Sequence, residues 1–370
     1  MTFTPFDFKM MSRALLLAKR GIYTTAPNPN VGCVITRDET IVGEGFHFRA
    51  GEPHAEVHAL RQAQDQAKGA TAYVTLEPCS HYGRTSPCAK GLIEAGVTKV
   101  ICAMQDPNPQ VAGRGIQMLQ DAGVEVQVGL LEQDAIALNL GFIKRMSTGA
   151  PFVQLKLAAS LDGQTALHNG VSQWITSTQA RQDVQKYRAQ AGAILSTSKT
   201  VIDDNASLNV RWDDLPQHVQ ADYSQSDVRQ PLRAILDRQN QLSPELKLFD
   251  TEGEVVTIGE NGDIPIALNS DGQLCIRSAI EQLSEQHNVN HIWVEAGATL
   301  AASMIKANLV DELIVYLAPK LMGSDGRGLI HLLGIDEMNE AIGLNISDLR
   351  MVGQDIRITA QVKQNLPETE

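Results

Sequence analysis

A metal site constrains a chain strongly, because side chains far apart in sequence have to meet at one point. Residues 54 to 88 hold such a set: His54 and Glu56 in HAEVHAL, then Cys79 behind Pro78 and Cys88 in TLEPCSHYGRTSPC. An isolated H-x-E is usually a surface pair, and two cysteines nine positions apart usually carry no meaning. Their combination is more informative. Zinc takes neutral imidazole and thiolate, and a catalytic zinc site keeps three protein ligands with the fourth position open to water. His54, Cys79 and Cys88 make three, and Glu56 supplies a carboxylate beside them that is free to move protons.

The surrounding pattern tells where these residues sit. A first helix runs to about Arg20, capped by Asp7, with Met10, Ala14, Leu17 and Ala18 on one face and Gly21 closing it. VGCVIT and TIVGEGF read as strands joined through RDE, and HAEVHAL opens a helix. Strand TAYVTL, helix AKGLIEAG, strand KVICAM, helix RGIQMLQDAG and strand VEVQVG follow. Such alternation implies α/β layers around one sheet. Both ligand-bearing segments then lie at helix N-termini, where free N–H groups and the dipole favour thiolate.

DAIALNLGFIKRMSTGAP reads as a helix and a boundary, which divides the chain into domains 1–147 and 148–370. Beyond it the predicted order is strand FVQLKLAAS, turn LDG, helix STQARQDVQKYRAQA, strand GAILS and a polar loop TVIDDNASLNVRW. Residues 213 to 230 read as a mobile surface loop. After strand PLRAILD comes an irregular region to about residue 273. Helix SAIEQLSEQHN, strand HIWVEAG, helix ATLAASMIKAN, strand ELIVYLAP and a hairpin turning at Gly353 to Asp355 complete the chain.

At 370 residues two domains are the default. A net charge of -12, with no basic run interleaved with aromatics, argues against nucleic acid as a partner. No apolar run approaches a membrane span and no leader precedes the first helix, so a cytoplasmic location is expected. Five cysteines, odd in number, argue for a reducing compartment rather than a disulfide framework. Cys33, Cys102 and Cys275 read as small buried hydrophobes.

Zinc deaminases carry H-x-E followed by P-C-x-x-C, with the Glu as acid and base. Here eight residues separate the cysteines instead of two. By that rule a structural zinc site, with His81 as fourth ligand, stays open as an alternative. Glu56 opposes it, since a closed site needs no acid-base carboxylate. HAEVHAL, TLEPCSHYGRTSPC, PNPNVGCVI and DPNPQVAGRG resemble the deaminase half of the bacterial bifunctional riboflavin-biosynthesis family, whose members carry a longer loop between the cysteines. That family fuses a diaminohydroxyphosphoribosylaminopyrimidine deaminase to a 5-amino-6-(5-phosphoribosylamino)uracil reductase. The resemblance covers essentially the whole chain. It implies a cytidine-deaminase-like three-layer α/β/α domain followed by a dihydrofolate-reductase-like α/β domain, and a homo-oligomer. It also implies that Asn28 and His47 hold the pyrimidine ring, with His81, Arg84, Asp106 and Asn108 around the phosphoribosyl group. Arg84 is the natural phosphate partner among them.

The second half has no G-x-G-x-x-G after a strand. Gly297, where HIWVEAG enters ATLAASM, marks a helix N-terminus that can receive a phosphate, although taken alone a plain tight strand-to-helix turn is the better reading. PFVQLKLAASLDGQTA, SQWITS, DDNASLNVR and WVEAGATLAAS resemble the family's NADPH-dependent reductase. The resemblance implies cofactor contacts from Ala158, Trp174, Thr200, Asp204, Gly297, Ala298, Thr299, Leu300, Ala301, Ala302 and Ser303. It implies substrate contacts from Ser172, Arg188, Leu208, Arg211 and Glu295. Arg188 and Arg211 suit one phosphate, and Trp174 offers a flat wall. Lys156, in an apolar strand, is expected to pair with Asp204 or face the substrate, with a solvated strand edge as the alternative. Two other readings stand beside this one: a nucleoside or RNA deaminase with a non-catalytic second domain, and a non-enzymatic zinc module.

Overall fold

Thr4, rather than Asp7, caps the first helix. The Thr4 side chain accepts from the Asp7 N–H at 3.2 Å, and Asp7 returns the bond to Thr4 N at 2.8 Å, a reciprocal cap in which Asp7 is the third helical residue. Pro5 occupies the first position, where its missing N–H costs nothing. This computed structural model describes residues 3–82, 86–109 and 111–363. The chain divides into two compact units, Met1–Ala150 and Pro151–Glu370.

In the first unit the elements run α1 (Pro5–Ala18), β1 (Gly32–Arg37), β2 (Thr40–Phe46), α2 (Ala55–Ala63), β3 (Thr71–Val74), α3 (Cys88–Glu94), β4 (Lys99–Cys102), α4 (Arg114–Asp121), β5 (Glu125–Val128), α5 (Glu132–Leu138) and α6 (Leu140–Thr148). Their sheet has the order β2-β1-β3-β4-β5, antiparallel at the β2-β1-β3 side and parallel from β3 to β5. The core gathers Met10, Ala14 and Leu17 of α1 against Cys33, Val34, Ile35, Val74 and Ile101. The predicted single helix before the boundary is two, broken at Asn139, whose amide donates to Asn30 O and Ala135 O.

The second unit comprises β6 (Phe152–Ser160), β7 (Gln164–Ala166), α7 (Thr178–Gln190), β8 (Ala193–Thr197), α8 (Ser198–Asp204), α9 (Gln217–Asp222), β9 (Leu232–Leu236), β10 (Val255–Gly259), β11 (Ile264–Pro265), α10 (Ile276–His287), β12 (His291–Glu295), α11 (Ala298–Lys306), β13 (Glu312–Ala318), β14 (Arg327–Gly328), β15 (Leu344–Val352) and β16 (Asp355–Val362). Nine strands form one sheet in the order β11-β10-β9-β8-β12-β6-β13-β16-β15, with β14 and β7 paired separately. Successive residues point to opposite faces of a strand. Ile292 and Val294 accordingly join one core with α10 and α11, while Trp293 joins the other with Ala180 and Val184 of α7.

Several expectations give way here. The polar loop after GAILS begins as α8, because the Thr197 side chain accepts from Thr200 N at 3.2 Å and Val201 is buried. Residues 213 to 230 are held rather than free: Leu215, Val219 and Val228 are buried, and the Gln220 amide donates to two carbonyls. The irregular stretch contains β10, whose Val256 and Ile258 are buried beside β9. Cys275 is exposed, at the N-terminal boundary of α10. Lys156 cannot lie at a strand edge, since β6 runs between β12 and β13. No helix among the described residues is long and apolar enough to cross a membrane.

Candidate active sites

The first site depends on how closely α2 approaches the sheet. A side chain at Gly43 or Gly45 of β2 would strike the carbonyls of Ala59 and Ala55, at 2.1 and 2.3 Å, so glycine is what lets the helix lie there. His54 then stands at the N-cap of α2 and Glu56 in its first turn. Cys79 follows β3, and Cys88 is the first residue of α3.

Among the described residues, donor atoms of His54, Cys79 and Cys88 all lie within 4.8 Å of one another. His54 Nδ1 is 3.6 Å from Cys79 Sγ and 3.3 Å from Cys88 Sγ, and the Cys88 backbone N–H donates to Cys79 Sγ at 3.3 Å. The thiols act on each other. A hydrogen bond from Cys88 brings the Cys79 thiol down to about 4, while the same bond, then burial, pushes Cys88 up. Beside them Glu56 is 3% exposed, and its Oε2 has no partner. Burial, then the charge of Cys79, holds this carboxyl up at about 7. One imidazole and two sulfurs converging next to an orphaned carboxylate oxygen fit a zinc ion, whose charge lets both sulfurs be thiolates.

His47 packs edge-on against His54 with ring centroids 5.3 Å apart, and Asn28 donates to His47 Nε2 at 3.0 Å, so both predicted ring-holding residues reach this group. His81 is exposed and outside the converging donors; its charge acts on Asp106 instead. Asp106 is raised chiefly by burial, and Asn108 N donates to its Oδ1 at 2.8 Å. Arg84 lies outside the described residues. One residue was missed by sequence reasoning. Glu77, 5% exposed, accepts backbone N–H bonds from Asp106, Gly113, Gly115 and Ile116, at 3.1, 3.0, 2.8 and 3.3 Å. It ties the Asp106 segment and the start of α4 to the segment leading into Cys79. A carboxylate between the apolar Leu76 and Pro78 was the available signal.

In the second unit Glu295 of β12 is the register partner of Lys156 of β6. Arg188 of α7 grips that carboxylate with two bonds, Nε to Oε1 at 2.6 Å and Nη2 to Oε2 at 2.9 Å. Burial pushes the Glu295 carboxyl up, but Arg188 outweighs it and holds the group at about 2. The Lys156 ammonium is lowered, chiefly by burial, with Glu295, Arg188 and Asp204 acting on it. Of the two arginines expected to share a phosphate, Arg188 pairs with Glu295 and also donates to the Asn209 carbonyl at 3.0 Å, while Arg211 pairs with Asp214 and its backbone N–H donates to Gln185 of the same helix α7 at 2.9 Å. Leu208, expected to contact substrate, has its side chain buried in the Trp293 core, and its φ is positive.

Trp174 is 66% exposed, backed by the Arg181 guanidinium 4.5 Å from its ring centroid, and Lys320 donates to its carbonyl at 2.8 Å. Gln173 donates to Asp204 at 3.3 Å, and Thr200 sits on Thr197. Ser172, next to Gln173, and Ala158 of β6 are half-buried. At the start of α11, Gly297 faces open space while Thr299 and Ser303 are exposed. Ala298, Ala301 and Ala302 are buried, and Leu300 is partly so. An open helix N-terminus with an exposed aromatic wall in the same unit fits a dinucleotide.

These two sites define a two-part enzyme, a zinc-dependent deaminase joined to a reductase. Residues 5–104 match the cytidine and deoxycytidylate deaminase zinc-binding region, and residues 151–358 match the RibD C-terminal domain. The riboflavin biosynthesis protein RibD of Escherichia coli is 54% identical over 359 residues, covering 95% of this chain and 98% of that protein. Its Haemophilus influenzae counterpart is 53% identical over 367 residues, covering 96% and 98%. Among solved structures, Acinetobacter baumannii RibD superposes with a TM-score of 0.89 at 44% identity, covering 97% of this chain and 99% of that one. A diaminohydroxyphosphoribosylaminopyrimidine deaminase/5-amino-6-(5-phosphoribosylamino)uracil reductase from Thermotoga maritima gives 0.84 at 30% identity, with the same coverage. The chain belongs to the RibD family of bifunctional deaminase-reductases of riboflavin biosynthesis, whose cofactors are Zn2+ and NADPH.

Proposed function

We propose that the unit Met1–Ala150 deaminates 2,5-diamino-6-(5-phosphoribosylamino)pyrimidin-4-one and the unit Pro151–Glu370 reduces the ribosyl chain of the product to ribityl. The observation that carries this reading is the convergence of His54, Cys79 and Cys88 beside the partnerless Oε2 of Glu56. Those three residues would hold zinc, which supplies Lewis acidity that makes water a nucleophile near neutral pH. Glu56 takes one proton from the attacking water at Oε2 and gives it to the ring nitrogen, then carries the second, from the new hydroxyl, to the departing amino group, which leaves as ammonia. A C–O bond forms as the C–N bond breaks. His47 and Asn28 orient the ring, and Asp106, Asn108, His81 and Arg84 surround the phosphoribosyl group.

Trp174, Thr200, Asp204 and the 297–303 segment would hold NADPH, whose chemistry would be hydride donation to C1′ of the opened ribose. Lys156, Glu295 and Arg188 present fixed charges to the sugar in a low-dielectric pocket, and Ser172, Leu208 and Arg211 complete the substrate contacts. A coupled assay tests the scheme: the diaminopyrimidine nucleotide should release ammonia in a zinc-dependent step and then oxidise NADPH faster than NADH. Ammonia release without subsequent NADPH oxidation would instead favour a nucleoside or RNA deaminase carrying a non-catalytic second unit.

The enzyme acts in the cytoplasm on small molecules, as a homo-oligomer. The strand β15 ends the nine-stranded sheet with Ile346, Leu349 and Met351 each more than 60% exposed, an apolar edge suited to a second copy. Sedimentation of wild type against Leu349→Lys reads this directly, and a monomeric wild type would overturn it.

A further inference from the structure

Trp293 is the largest fully buried side chain of the second unit, at 0% exposure in the middle of β12. Its ring lies flat on Tyr187 of α7, with centroids 4.7 Å apart and planes 8° from parallel. Phenylalanine would fill such a place without a polar atom to satisfy. A buried indole N–H needs an acceptor, and here that acceptor is Oε1 of Glu295, at 2.9 Å. Positions 293 and 295 share one face of the strand, so the bond follows from the backbone. Oε1 therefore receives Trp293 Nε1 and Arg188 Nε together, while Oε2 receives Arg188 Nη2. The carboxylate is held at both oxygens and from two elements, β12 and α7. The Ser196 hydroxyl also donates to the Glu295 carbonyl at 2.6 Å, fixing the backbone behind it.

We infer that Trp293 is a positioning residue of the reductase: its indole N–H sets the rotation of the Glu295 carboxylate, and so the plane of the Glu295–Arg188 pair that meets the substrate. The inference rests on Glu295 being a substrate contact. Arg188 alone leaves the carboxylate free to pivot about its two-pronged bond. The third donor, borne on a ring that stacking and burial immobilise, removes that freedom.

Trp293→Phe keeps the stack on Tyr187 and deletes only the donor. Its KM for 5-amino-6-(5-phosphoribosylamino)uracil should rise roughly 10-fold to 100-fold, the scale of a hydrogen bond to a charged group, with kcat and the KM for NADPH unchanged. A merely structural role would lower the active fraction, and with it kcat, at constant KM. Because Trp293 acts through Glu295, adding Trp293→Phe to Glu295→Gln should cost nothing further. A wild-type KM in Trp293→Phe, or losses that add in the double variant, would overturn the inference. The Trp293 indole resonance, identified by its absence in Trp293→Phe, gives a reading independent of substrate: it should move in Glu295→Gln, and an unmoved signal also overturns the contact. If wild type oxidised no NADPH with this nucleotide, the functional reading would fail on its own, and the indole resonance would still decide the contact.

Discussion

Asp183 and Arg357, 174 residues apart, meet at 2.7 Å with side chains 6% and 7% exposed. The pair joins α7, which carries Arg188, to the C-terminal hairpin. Tyr316 donates to the same Asp183 oxygen at 2.8 Å, Lys186 pairs with the other, and Arg357 also reaches Asp348 at 3.0 Å. Breaking a buried pair by removing one partner strands the other charge, typically at a cost of about 3–5 kcal/mol. Arg357→Ala should therefore lower the unfolding free energy of the second unit by about that amount, read as a fall in its urea midpoint, while ammonia release by the first continues. An unchanged midpoint would show that the pair adds nothing to stability.

Glu56→Gln should keep its zinc and lose roughly 10²-fold to 10⁴-fold in deaminase rate, the range of general acid-base catalysis. Metal analysis and ammonia release measure the two halves of this expectation. NADPH oxidation with the already deaminated nucleotide should be untouched, and near-normal ammonia release would remove Glu56 from its assigned role.

Glu77→Ala leaves four backbone N–H groups without their acceptor. The first unit should lose on the order of 3 kcal/mol, since even one unsatisfied buried donor costs about 1–3 kcal/mol. With Asp106 no longer anchored, the KM of the deaminase should rise more than kcat falls. Denaturation and initial-rate kinetics separate these effects, and equal changes in KM and kcat would argue against anchoring.

The His291 imidazole drops from 6.5 to about 4, chiefly through burial, with Nε2 2.7 Å from Oε1 of the Gln154 side chain. Between those values the unfolded chain binds the proton and the folded one does not, so stability rises with pH in that window. Its contribution is complete above about pH 6.5 and is lost as pH falls to about 4, on the order of 3 kcal/mol in all. Glu295 adds a separate acid loss, from about 4.5 down to its folded value of about 2. His291→Gln should flatten the unfolding free energy between pH 6.5 and 4, measured in urea at several pH values. A slope equal to wild type there would assign the acid sensitivity elsewhere.

Local signals explain which parts of the chain were legible. The α/β alternation could be read because amphipathic helices and apolar strands repeat over a few residues, as in α2, β4 and β12. The conversion of TVIDD into α8 and the tethering of residues 213 to 230 could not. Those segments are polar on average, and what orders them is a capping hydroxyl at Thr197 and single buried side chains such as Val219, which show no periodicity. Arg188 illustrates the same limit within a site: nothing in the α7 sequence shows that its guanidinium pairs with a glutamate 107 residues away.

By itself the sequence determined the inventory of the first centre, since His54, Glu56, Cys79 and Cys88 lie within one helix-strand-helix stretch and their types and spacing carry the chemistry. It also determined, through motifs across both halves, the family to which the chain belongs. Only the tertiary structure decided what holds those groups. Glu77 under the Asp106 segment, Arg188 against Glu295, and Arg357 against Asp183 depend on which faces of separate elements pack together. Burial then makes each such bond strong, because a polar group removed from water has no other partner to take.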